Sequence, residues 1–127
     1  MRVLLVEDNE DSCSALERLL EADGYEVITA ADGLAGYEMA CRRTPDVIVT
    51  DLMMPHLDGF GLIRRLRQNE STARRPVIVI SAHDGDRESL LDPEITAYLR
   101  KPFDYSELAA ALERVQVGMV KRSCTSA

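Results

Sequence analysis

PDVIVTDLMMPHLDG, residues Pro45 to Gly59, is the stretch that decides the fold. Val47, Ile48, Val49 and Thr50 are β-formers with no charge among them, so they suit a strand covered on both faces, as in parallel sheets flanked by helices. The carboxylate of Asp51 follows, and Met54-Pro55 and Asp58-Gly59 then supply turn signals. Asp51 therefore stands at the carboxyl end of a buried strand, where open α/β sheets bind and act on ligands. By itself such an aspartate reads more readily as the cap of a turn or helix. Its meaning depends on what the other strands bring to the same edge.

Working outward, 127 residues with 46% apolar and 29% charged side chains suit one globular domain with a respectable core. No apolar run has the length a bilayer needs, and Met1-Arg2 leads straight into a strand, so a cytoplasmic protein with no membrane partner is expected. The net charge is −7, and residues 1–117 hold 13 basic against 22 acidic side chains, or −9. Such a domain repels nucleic acid on its own account. Cys13, Cys41 and Cys124 lack metal-ligand or CxxC spacing, and none is assigned a function. Only two of the 15 cationic residues are lysines, which makes Lys101 compositionally unusual.

In chain order, RVLLV (2–6) reads as a buried strand ending on Glu7-Asp8. A helix follows from Asn9, with Cys13, Leu16 and Leu20 on one side and Leu19 beside them, until Gly24 stops it. EVITA (26–30) is a second strand. Asp32 then caps a helix from Gly33 to about Arg42, whose apolar side is offered by Leu34, Tyr37 and Met39 or Ala40. After Asp58-Gly59, Leu62, Ile63 and Leu66 mark a third helix, whose outer face carries Arg64, Arg65 and Arg67 as a solvated surface. PVIVIS (76–81) is the fourth strand, ending at Ser81. Pro93 limits the helix that follows to one or two turns around Arg87–Leu91. TAYLR (96–100) is the fifth strand, ending at Lys101-Pro102, and Asp104 caps a last helix bearing Leu108, Ala111, Leu112 and Val115. A domain over 1–117 and a frayed tail or linker over 118–127 are expected.

This alternation predicts an α/β fold, a (βα)5 doubly wound parallel five-stranded sheet with a short or irregular fourth helix. The flavodoxin-like order 2-1-3-4-5 fits it, with the switch point between the first and third strands. Four strand ends then bring Glu7-Asp8, Asp51, Ser81 and Lys101 to one edge. Each residue alone could cap a helix or sit as a surface charge; four such accidents at one edge make a poor joint explanation. Three carboxylates in one cleft repel each other and call for a cation. Mg²⁺ (or Mn²⁺) takes oxygen ligands and a phosphate oxygen together. Ser81 and Lys101 would serve the phosphate, and Asp51 is placed as a nucleophile that forms an aspartyl phosphate.

VLLVEDNED, VTDLMMPHLDG, VIVISAH and YLRKPF together resemble the signatures of the receiver domain of bacterial two-component response regulators. The resemblance covers about residues 2–115, with separations of 43 residues from Asp8 to Asp51, 30 to Ser81 and 20 to Lys101. It implies that Asp51 accepts phosphate from a sensor histidine kinase or a histidine phosphotransfer protein. It further implies metal ligation by Asp8, Asp51 and the Met53 main-chain carbonyl, with Glu7 acting through a water. Ser81 and Tyr98 would be switch residues and Lys101 would pair with the phosphoryl group. Met53 and His83 would tune its loss to water, and Lys101-Pro102 would be cis. LLDPEITAYL departs from the usual approach to the fifth strand, which bears on the signalling face. Dimerisation stays open.

A pseudo-receiver that binds partners without phosphorylation is the alternative from another class; the complete acid pocket with Ser81 and Lys101 weighs against it. An aspartate-nucleophile phosphatase would want a second carboxylate where Met53 stands. A dinucleotide or flavin site would want a phosphate-cradling loop after the first strand, and EDNED has the wrong charge.

Overall fold

The computed structural model describes residues 1–51, 59–81 and 95–125, with the backbone alone at 95, 96 and 118–125. The expected short helix at Arg87–Leu91, together with Met53 and His83, lies outside the described residues. Five strands, β1 (Arg2–Val6), β2 (Glu26–Ala30), β3 (Val47–Asp51), β4 (Val77–Ser81) and β5 (Ile95–Arg100), form one sheet in the order β2-β1-β3-β4-β5. All four pairings are parallel. The helices are α1 (Glu10–Ala22), α2 (Gly33–Arg43), α3 (Gly59–Gln68) and α4 (Tyr105–Thr125).

Strand alternation sorts the core into two layers. Val3 and Leu5 of β1, Val47 and Val49 of β3, and Ile78 and Ile80 of β4 meet Leu20 of α1 and Leu108, Ala111, Leu112 and Val115 of α4. The intervening Leu4, Val6, Ile48, Val77 and Val79 meet Ala40 of α2 and Leu62, Ile63 and Leu66 of α3. β1, β3 and β4 are thus apolar in both directions because both faces are covered.

Local chemistry sets the helix starts. Asn9 accepts from the Ser12 N–H at 3.0 Å, and Asp32 accepts from the Ala35 N–H at 2.8 Å. Each satisfies a backbone donor that the first turn would leave orphaned. At α4 the Glu107 carboxylate reaches back to the Asp104 N–H at 3.0 Å, half of a capping box. α4 continues to Thr125, beyond the point where apolar periodicity fades. After Val117 the poorest helix former is Gly118, by about 1 kcal/mol relative to alanine, and there is no proline to stop the helix.

α2 keeps most of the expected apolar side, with Ala40 buried and Tyr37 and Met39 packed against the core, but Leu34 is 42% exposed and Gly33 and Gly36 are the other buried positions. A Cβ on Gly36 would lie 2.9 Å from Val6 Cγ2. At Gly36 the α2 backbone itself comes close to β1, which is why a small residue stands there. Leu19 of α1 is likewise exposed, at 44%.

Candidate functional site

The strand ends explain how the polar residues converge. Glu7, Asp51 and Lys101 follow Val6, Thr50 and Arg100, and they continue the rows of Leu5, Val49 and Leu99 on the α1/α4 side of the sheet. β1 extends by a bond from the Glu7 N–H to the Ala30 carbonyl at 3.0 Å, and β5 by one from the Lys101 N–H to the Ser81 carbonyl at 2.8 Å. The side chains then meet. Lys101 Nζ donates to Asp51 Oδ2 at 2.7 Å and to Glu7 Oε2 at 3.1 Å. The Asn9 N–H donates to the other Glu7 oxygen, Oε1, at 3.2 Å. Asp8 is exposed, yet it, Glu7 and Asp51 each place a carboxylate oxygen within 4.8 Å of the others.

Glu7 is 2% exposed, Asp51 6% and Ser81 0%. Burial pushes Glu7 above the ordinary carboxylate range, against the opposing pull of the Asn9 N–H and the Lys101 ammonium, with the Asp51 charge adding to the rise. For Lys101 burial acts to lower the pKa. The hydrogen bonds and charges of Asp51 and Glu7 outweigh it, so the ammonium is held above its usual range. The site is a small cluster with more negative than positive charge, largely withdrawn from water. Oxygen ligands from three carboxylates at this spacing fit a hard divalent cation.

Ser81 closes β4 beside Asp51, since Asp51 is in register with Ile80 and Ser81 with Arg100. Tyr98 is half-buried against the α2/α3 core layer, in register with Val79. The Lys101–Pro102 peptide is cis. Two features escaped the sequence reading. Thr50, counted there only as a strand former, is fully buried and donates its hydroxyl to the Asp51 carbonyl at 2.9 Å. The bond from Lys101 to Glu7 was missed because their contact spans 94 positions of sequence and is created by the sheet order.

Residues 3–113 match the family described as the response regulator receiver domain. The chain belongs to that family. The receiver domain is similar to the Response regulator PleD of Caulobacter vibrioides, with 43% identity over 105 residues, covering 81% of this chain and 23% of PleD. It is 39% identical over 127 residues to the transcriptional regulatory protein PrrA of Mycobacterium tuberculosis, covering 98% of this chain and 52% of PrrA. The receiver domain thus spans about a quarter to a half of these relatives. Among solved structures it is similar to the receiver domain of sensor histidine kinase PA1611 from Pseudomonas aeruginosa PAO1. That match has a TM-score of 0.82 and 38% identity, covering 89% of this chain and 94% of the other, whose structure holds a magnesium ion in the active site cleft. Receiver domains are signalling modules of two-component systems, and the five-stranded order found here is that of the fold. No helix among the described residues is long and apolar enough to cross a membrane.

Proposed function

We propose that Asp51 accepts a phosphoryl group from a phosphohistidine of a sensor histidine kinase or a histidine phosphotransfer protein. The observation that carries this reading is the buried Asp51 carboxylate held at 2.7 Å by Lys101 inside a cluster of three carboxylates. In the transfer a carboxylate oxygen of Asp51 attacks phosphorus, the bond from phosphorus to the imidazole nitrogen breaks, and the electron pair leaves with that nitrogen. Lys101 has its ammonium positioned against Asp51 and is suited to neutralise an oxygen of the incoming group. Ser81, at the end of β4, would supply a hydroxyl donor to another phosphoryl oxygen, and Tyr98 is the aromatic whose position would follow it. Asp8 and Asp51 would hold Mg²⁺ (or Mn²⁺) with the Met53 carbonyl, Glu7 joining through a water. Such an ion supplies charge neutralisation between the carboxylates and the phosphoryl oxygens.

Incubation of the full chain with a small-molecule phosphodonor and Mg²⁺ should add one acid-labile phosphoryl group, seen by intact mass. Asp51→Asn should abolish the addition. Equal modification of the variant overturns the assignment of Asp51. A wild-type chain that takes no phosphate from the donor or from any histidine kinase favours a partner-binding module that works without phosphorylation.

A further inference from the structure

We infer that Thr50 is a positioning residue for Asp51, acting through the Asp51 main chain; the inference rests on Asp51 being the phosphoacceptor. A carboxylate on the last residue of a strand is aimed by the two peptide planes that flank its Cα. The plane before Asp51 lies within the sheet, because Thr50 is in register with Val6 on one side and Val79 on the other. Asp51 itself is in register with Ile80 of β4, while pairing of β3 with β1 ends at Val6 and Thr50. The Thr50 hydroxyl donates to the Asp51 carbonyl at 2.9 Å.

The choice of threonine is informative. Thr50 is fully buried, and Val6 and Val79 flank it across the sheet. Valine has the same shape and removes the need to satisfy a hydroxyl in a dry interior, so packing alone favours it. A threonine tolerated for its β-propensity alone needs only some acceptor for its hydroxyl. This one uses the main chain of the residue whose side chain is bonded to Lys101. A bond to that carbonyl limits rotation of the Asp51 backbone at the last residue of β3. It therefore holds the carboxylate in one direction before any phosphodonor arrives, and attack by a fixed nucleophile depends steeply on such alignment.

The test compares wild type, Thr50→Val and Thr50→Ser in the full chain, with Asp51→Asn as the reference, using acetyl phosphate and Mg²⁺. The rate of phosphoryl addition is followed by intact mass, and folding by thermal melting. Thr50→Val should melt as a folded protein and acquire phosphate about fivefold more slowly, the factor corresponding to one neutral hydrogen bond. Thr50→Ser, which keeps the donor, should run close to the wild-type rate. If valine impairs folding, Thr50→Ala removes the same donor without bulk and carries the comparison. Equal rates for wild type and the hydroxyl-less variant overturn the inference, as does an equal loss in the serine variant. Modification of Asp51→Asn at the wild-type rate instead overturns the assignment of Asp51, a result separable from these.

Discussion

Lys101 bonds both Glu7 and Asp51, and both carboxylates are nearly closed to water. Lys101→Met keeps most of the side-chain volume but leaves the buried negative charges facing one another. Breaking a fully buried pair costs ~3–5 kcal/mol; with Lys101 30% exposed, a loss of about 2 kcal/mol is expected in metal-free buffer. Mg²⁺ should then raise the melting temperature of Lys101→Met more than that of wild type, and a smaller metal effect in the variant would contradict this picture. Glu7 gives a test with the opposite sign. Its folded pKa lies above the unfolded value of 4.5 because of burial, so the folded state prefers the neutral acid. Its stabilising contribution is full below that value and is lost as pH rises through the folded pKa. At neutral pH the Glu7 charge therefore costs stability, and Glu7→Gln should melt higher than wild type without metal, because Lys101 keeps its bond to Asp51. The advantage should vanish as the pH falls below about 4.5, which a series of melts across pH measures.

At the scale of elements, the caps at Asn9 and Asp32 were readable because an amide or carboxylate before a helical pattern has a local task. The burial of Gly33 and Gly36 in α2 was not, since a small residue looks like missing apolar signal until its neighbour is known. Gly36→Ala shows which effect prevails. Alanine in place of glycine gains about 1 kcal/mol of helix propensity. Its methyl would meet the buried Val6 side chain at 2.9 Å, and overpacking of this kind costs about 1–3 kcal/mol. A net destabilisation of about 1 kcal/mol is expected by urea unfolding, and a stabilised Gly36→Ala would show that α2 and β1 can separate at little cost. The length of α4 was hidden for a related reason: periodicity marks a packing face, and a helix can continue where that pattern fades.

For the whole molecule, the order β2-β1-β3-β4-β5 makes β3 the middle strand, paired on both sides, with all five residues buried. Amides of Ile48 and Val49 should exchange with solvent only through global unfolding, with exchange free energies equal to that from urea denaturation, while the edge strand β2 exchanges sooner. Exchange of β2 as slow as that of β3 would show that the sheet opens as one unit. Strand alternation with helices, the uninterrupted apolar run before Asp51 and the residues closing each strand were all present in the sequence, because periodicity and turn chemistry are local properties. So were the resemblance to the receiver family and the candidacy of Glu7, Asp8, Asp51, Ser81 and Lys101. Tertiary structure alone decided the rest. It joined Lys101 to both Glu7 and Asp51, buried Gly33 and Gly36 of α2 while leaving Leu34 exposed, and turned the Thr50 hydroxyl toward the Asp51 carbonyl. Those outcomes depend on distances between parts of the chain far apart in sequence, or on which neighbour is close enough to accept a bond, and such distances exist only once the sheet has closed.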